Sequence, residues 1–220
     1  KLALAMGHEQ LRSVLERVGF GTDTGSGFPG ERSGVLPNHR IWHDIETATL
    51  SYGYGLSVSA LQLASAYTTL VSGGIKKPVS MLRLSPEKVA ALPTEHVIRE
   101  DIARSVMTAL ETVVDKERGG GATAANVPFY SVAGKTGTAH VVGANGYESN
   151  VYNSLFVGYA PASDPRVVVV IIMNEPGGTE HYGSQVAAPL FSRIVTGAMR
   201  ILNVTPDRLD DTQLLKLSAR

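Results

Sequence analysis

The chain has 220 residues, enough for one domain with a sizeable core or for most of a larger one, and its 20 Lys and Arg offset its 20 Asp and Glu. No overall field therefore draws it to nucleic acid or to an anionic membrane surface. It has no cysteine, which excludes disulfides and thiolate metal sites, and its longest purely apolar run, residues 167–173, is far short of the roughly 20 residues of a membrane-spanning helix.

There is no secretory signal pattern. Residues 1–6 start abruptly in an apolar, helix-favouring run without a cap, which reads as a cut end with chain missing before it. Leu11, Val14, Leu15 and Val18 then recur at helical spacing, and Gly19 and Gly21 stop the pattern, so a core helix is predicted. Residues 21–37, rich in Gly, Ser and Thr with Pro29 and Pro37, read as a long ordered loop in which Phe28, Val35 and Leu36 are buried. His39 and His43 are four apart, as zinc ligands on a helix are. No Glu or Cys accompanies them at metal-site spacing, so no metal is expected.

Gly53-Tyr54-Gly55 begins like a dinucleotide fingerprint, but Val58 occupies the third glycine position, and a tight turn is the better reading. Ser57 is predicted to cap a helix through Leu61, Leu63, Ala64, Tyr67, Leu70 and Val71 that stops at Gly73 and Gly74. Being apolar nearly all round, this helix should lie buried at the centre of the helical part. Residues 75–93 are irregular, with a short strand expected around 79–84. Here Ser85-Pro86-Glu87-Lys88 is the one Ser-x-x-Lys of the chain. As a nucleophile pair it is rejected, because a Lys that takes a Ser proton must be desolvated at the buried start of a helix, and Ser85 sits in a charged segment. Ile102, Val106, Met107, Leu110 and Val113 mark an amphipathic helix over 100–116, ended by Gly119-Gly120-Gly121.

The stretch that organises the chain is Lys135-Thr136-Gly137-Thr138. Val132, Val141 and Val142 give it strand character, while Gly134 and Gly137 leave bare backbone where a ligand could approach. Lys135 supplies positive charge and Thr136 and Thr138 supply hydroxyls. Gly137 removes the side chain that would keep an edge strand from bonding an extended, peptide-like substrate. A phosphate-binding loop is excluded by spacing, since its first glycine position is Phe129. On these four residues alone, an ordinary surface strand explains the pattern as well.

Residues 141–149, with Gly143, Asn145 and Gly146, suggest a mobile hairpin loop beside the cleft. Residues 152–160 and 167–174 read as two strands, giving three consecutive strands in an antiparallel meander. The last is apolar throughout, as a central strand covered on both faces would be. A helix over 185–202 is predicted to lay Val186, Leu190, Ile194, Ala198 and Ile201 across the sheet, and beyond Asn203 the polar chain should fray. The fold class is α+β, an antiparallel sheet with helices packed on it.

Lys-Thr-Gly is also the third signature of the penicillin-recognising serine acyltransferases, whose other two are Ser-x-x-Lys and Ser-x-Asn. Gly27-Phe28-Pro29-Gly30-Glu31, Leu36-Pro37, the segments Ser51 to Val58 and Ala60 to Tyr67, Ser154 to Pro161, and Asn174-Glu175-Pro176 resemble class B penicillin-binding proteins, and among them the division-specific members. The resemblance runs to about Asn203, which implies that residues 1–203 are the C-terminal part of a penicillin-binding, serine β-lactamase-like transpeptidase domain and 204–220 a polar tail. It implies a peptidoglycan D,D-transpeptidase of septal wall synthesis without a cofactor, held in the inner membrane by an N-terminal anchor outside this chain, with its catalytic domain periplasmic. Its partners would be stem peptides ending in D-Ala-D-Ala, β-lactam antibiotics and cell-division membrane proteins, with no nucleic acid.

Carried onto this sequence, Lys135 would position the Ser of the second motif, Thr136 and Thr138 would bind the substrate carboxylate beside Gly137, and the Thr138 N–H would serve the oxyanion hole. Tyr152, His181 and Tyr182 fall where relatives place cleft aromatics, and His140 stands where some carry Arg. Neither Ser-x-Asn nor an acceptable Ser-x-x-Lys is present, so the nucleophile would come from elsewhere in the protein. The alternatives are a non-enzymatic β-lactam sensor or division scaffold of the same fold, and, less well matched, a soluble β-lactamase.

Overall fold

A computed structural model describes residues 1–143 and 146–209, and backbone proximity divides the chain into two units, Lys1–Arg104 and one beginning at Ser105. In the first, α1 (Leu2–Met6) and α2 (His8–Arg17) meet at Gly7, whose φ of +83° turns the chain. The helix predicted from Leu11 to Val18 is thus present, but of its apolar residues only Val18 is buried.

The loop after α2 is ordered by polar bonds. Phe28 and Val35 are each 60% exposed, contrary to the expectation that they bury. Glu31 instead accepts from the Thr24 N–H (2.7 Å) and Ser26 Oγ (2.5 Å), and these bonds, that of Ser26 foremost, hold its carboxyl below the usual range. Gln62, 1% exposed, donates its side-chain amide to the carbonyls of Thr22 (2.6 Å) and Ser33 (2.8 Å), with that of Gly19 at 3.3 Å.

Gln62 belongs to α4 (Ala60–Val71), which follows α3 (Asp44–Leu50). The cap of α4 is Ser59, not Ser57. Ser59 Oγ accepts from the Gln62 N–H while Gln62 Oε1 accepts from the Ser59 N–H, a reciprocal capping box. Ser57 is tied up in a two-residue bridge with Val35. The expectation of an apolar helix buried nearly all round is also corrected: the buried residues of α4 are Gln62, Thr69 and Leu70, two of them polar.

No strand forms at 79–84. The pairing is between β1 (Ile75–Lys76) and β2 (Glu95–His96), and α5 (Pro86–Ala90) lies between them in sequence. α6 (Glu100–Thr112) ends four residues before the predicted limit and buries Ala103, whereas Ile102 and Val106 of the predicted stripe are exposed.

In the second unit a 3-10 turn (Thr123–Ala125) precedes β3 (Ala133–Gly143), β4 (Gly146–Ala160) and β5 (Val167–Asn174), an antiparallel meander in the order β3-β4-β5. The predicted loop at 141–149 is instead mostly ladder, with Val142 opposite Tyr147, Gly143 opposite Gly146 and a bulge between His140 and Val142; Asn145 lies outside the described residues. β5 is an end strand among the described residues, not the central one, and Ile172 is 42% exposed.

The short α7 (Gly183–Val186) leads into α8 (Ala188–Ile201), which lies on the sheet as predicted but by another face. Phe191, Val195 and Met199 are fully buried with Phe156, Val132 and Ile171, the Phe156 and Phe191 rings 4.8 Å apart, while Leu190, Ile194 and Ile201 face out. Each such buried side chain contributes roughly 1.5–3 kcal/mol.

The chain does not fray directly after Asn203. Asp207 accepts from the Ser131 N–H (2.7 Å), Ser131 Oγ and Ser163 Oγ (2.5 Å), and the Tyr130 hydroxyl donates to the Val204 carbonyl (2.7 Å).

Candidate active site

Because β3 is an end strand, only one of its edges is paired with another described strand, and the Lys-Thr-Gly-Thr tetrad lies along it. Directly opposite residues of an antiparallel pair share a face, and faces alternate along each strand. Thr136, Thr138 and His140 therefore share one face with their partners Phe156, Ser154 and Tyr152, and Lys135, Gly137 and Ala139 share the other with Val157, Leu155 and Asn153.

Both motif glycines are demanded by internal packing. A Cβ on Gly134 would stand 2.7 Å from the Phe156 ring, and one on Gly137 would stand 2.9 Å from Leu155 Cγ. The bare backbone that the sequence assigned to ligand approach is thus covered on one side by the neighbouring strand. Lys135 is exposed, and its Nζ turns back to donate to the Thr136 carbonyl (3.0 Å) and Thr136 Oγ1 (3.3 Å). The Thr138 hydroxyl accepts from the Gly183 N–H at 3.1 Å.

The three aromatic candidates come together, and His140 joins them. Tyr152 and His181 stack at 4.1 Å with 12° between their planes, the His140 ring lies 4.6 Å from Tyr152 at a tilt of 39°, and Tyr182 lies 4.4 Å from His181. The Nδ1 of His140 is 3.1 Å from the Glu148 carbonyl. One row of rings thus continues the face that carries Thr136 and Thr138.

Two residues of this arrangement escaped sequence reading, Ser154 and Gly183. Ser154 is fully buried opposite Thr138 and donates to the His181 carbonyl. Ser154 was read only as part of a family-like segment; the register of β3 and β4 reveals its place, and the bond to Thr138 that of Gly183.

Ser85 and Lys88 are both exposed and form a helix cap, with Ser85 Oγ accepting from the Lys88 N–H at 3.4 Å. His39 and His43 serve local structure, His39 facing the Trp42 ring at 5.2 Å and His43 donating its N–H to Glu46 at 2.8 Å. No three His, Asp or Glu gather as metal donors among the described residues. A cleft of about 410 Å³ in the first unit, lined by Thr24, Gln62, Lys76 and Lys77 among others, contains none of the motif residues.

Lys-Thr-Gly-Thr stands on an end strand backed by the turn at Gly183 and an antiparallel sheet, and residues 1–196 match the penicillin binding protein transpeptidase domain, so the chain belongs to that family. Within it, the relatives are class B enzymes. The chain is 43% identical over 209 residues to peptidoglycan D,D-transpeptidase FtsI of Escherichia coli, covering 95% of this chain and 34% of that protein. It is 41% identical over 212 residues to the probable peptidoglycan D,D-transpeptidase PbpC of Pseudomonas aeruginosa, covering 96% and 36%. The transpeptidase domain of Burkholderia pseudomallei penicillin-binding protein 3 superposes with a TM-score of 0.84 at 41% identity, covering 93% of this chain and 61% of that one. The chain thus spans about a third of the length of these two curated relatives.

Proposed function

We propose that this chain supplies the substrate-binding edge of a peptidoglycan D,D-transpeptidase that works in septal wall synthesis and is acylated by β-lactams. The observation that carries this is the open edge of β3, on which a cation and two hydroxyls, one of them held from behind, stand within four residues. Residues 1–203 are then the C-terminal part of the transpeptidase domain, with 204–220 following it as a polar tail.

In the reaction, a serine oxygen attacks the carbonyl of the penultimate D-Ala, its proton passing to a neighbouring base. The carbonyl oxygen becomes an oxyanion, D-Ala leaves as an amine, and the acyl-serine is then attacked by the amine of a second stem. Thr136 and Thr138 hydrogen-bond the terminal carboxylate of D-Ala-D-Ala or of the antibiotic, with Lys135 adding attraction. Lys135 also steadies the serine of the second motif. The Thr138 N–H and that of the nucleophile stabilise the oxyanion, where losing one donor typically costs about a hundredfold or more in rate. Tyr152, His181 and Tyr182 line the cleft beyond the carboxylate. No cofactor takes part. The nucleophile and the Ser-x-Asn motif come from parts of the protein outside these 220 residues.

The division setting is supported by relatives named FtsI, and an inner-membrane anchor outside these residues with a periplasmic catalytic domain belongs to the same proposal. No helix among the described residues is long and apolar enough to cross a membrane.

The test is the intact mass of the protein as its source makes it, before and after benzylpenicillin, with mapping of the acylated peptide and an assay for D-Ala release. One adduct on a serine other than Ser85, together with D-Ala release, is expected. A stable adduct without release would turn the assignment into a β-lactam sensor, rapid penicillin hydrolysis into a β-lactamase, and no adduct would overturn it.

A further inference from the structure

Thr138 offers one hydroxyl proton and two lone pairs, and which of these faces the cleft decides whether it can hold a carboxylate, which only accepts. The Gly183 N–H occupies a lone pair at 3.1 Å. That amide is pressed onto the strands so closely that a Cβ on Gly183 would lie 2.3 Å from the Leu155 carbonyl and 2.7 Å from that of Gly137. Two residues earlier, the His181 carbonyl accepts the proton of Ser154, the fully buried cross-strand partner of Thr138. The turn before α7 is therefore fastened to β4 through Ser154 and to β3 through Thr138.

This fastening has a polarity. Ser154 gives its proton to His181, and the Gly183 amide gives its proton to Thr138, so the Thr138 hydroxyl is left to donate its own proton away from the turn. We propose that Ser154 and Gly183 are positioning residues that set the Thr138 hydroxyl as a donor, making the site selective for acyl donors with a free carboxylate. Rotated the other way, the hydroxyl would present lone pairs to an anion and repel it. The inference rests on the carboxylate role proposed above for Thr138.

The experiment compares the acylation rates of the whole protein by benzylpenicillin and by its methyl ester, which lacks the anionic oxygen. Thr138→Ala is expected to lower the preference for the acid by roughly 10- to 100-fold, the range of a hydrogen bond to a charged group. Ser154→Ala is expected to lower it by about tenfold, the acid rate falling more than the ester rate, since the turn loses one fastening point while Thr138 keeps its hydroxyl. Ser154→Cys, similar in size but a weaker donor, should fall between wild type and Ser154→Ala, and it serves as the readout if the Ala variant does not fold.

If the Ser154 variants slow acid and ester alike, or change neither, the positioning role is overturned while the Thr138 result still supports the carboxylate role. If Thr138→Ala leaves the acid preference intact, the carboxylate role itself is wrong.

Discussion

Asp207 ties down the segment that leads into the motif strand, through the Ser131 N–H and hydroxyl. Burial works to raise its pKa, but hydrogen bonds from Ser131 and Ser163 outweigh this and hold the carboxyl below its ordinary value. A depressed folded-state value means stability that is present above the unfolded pKa of about 4 and is lost as pH falls through the folded one. Asp207→Asn should cost roughly 1–2 kcal/mol at neutral pH, a modest figure because the carboxylate is partly solvated. Denaturant melts at neutral pH and near pH 3 check this; a gap that does not shrink on acidification would discard the account. Gly137 gives a second test at this scale. Gly137→Ala forces Leu155 Cγ from 2.9 Å and should cost about 1–3 kcal/mol by overpacking, relieved in part by Leu155→Ala in the same chain.

Among the elements, α8 shows how far sequence pattern carries. Leu190, Ile194 and Ile201 form one apolar stripe and Phe191, Val195 and Met199 another, so periodicity alone cannot select the face that packs on the sheet. Met199→Ala should cost about 2–5 kcal/mol and Ile201→Ala less than about 0.5, which thermal melts of the two variants will separate. The cap of α4 was misread for a related reason. Ser57 and Ser59 are equally good caps by type, and Gln62 three residues after Ser59 completes the box that decides between them. In the same helix, burial raises the Tyr67 phenol to about 12. Its contribution to stability is complete below the unfolded value of about 10 and disappears as pH climbs toward 12. An ultraviolet titration should show a late phenolate that is missing in Tyr67→Phe.

At the scale of the molecule, the α+β class and the meander were legible in the residues, whereas Tyr152, His181 and Tyr182, whose rings meet in the structure, were named only through the resemblance. The segments flanking the motif, in their order and spacing, carried the family. What could not be read was which neighbours demand Gly134 and Gly137, and that polar bonds from Glu31 and Gln62, not apolar burial, order the long loop. Those depend on register and on distant pairings, which no local pattern encodes. The exposed cap geometry of Ser85 and Lys88 leads to a further expectation: the 220-residue chain by itself should gain no mass with benzylpenicillin, and an adduct mapped to Ser85 would show the nucleophile assignment to be mistaken.

The bonds between Ser131 and Asp207 join positions 76 residues apart, with the whole sheet and α8 threaded between them. During synthesis on a ribosome, the root of the strand bearing Lys135 is made early and waits for its partner. It cannot be sealed until the segment after α8 has cleared the exit tunnel. Until that moment the open edge is borne by a strand with an unfastened end, so a segment made 76 residues later is what fastens the strand that carries the motif.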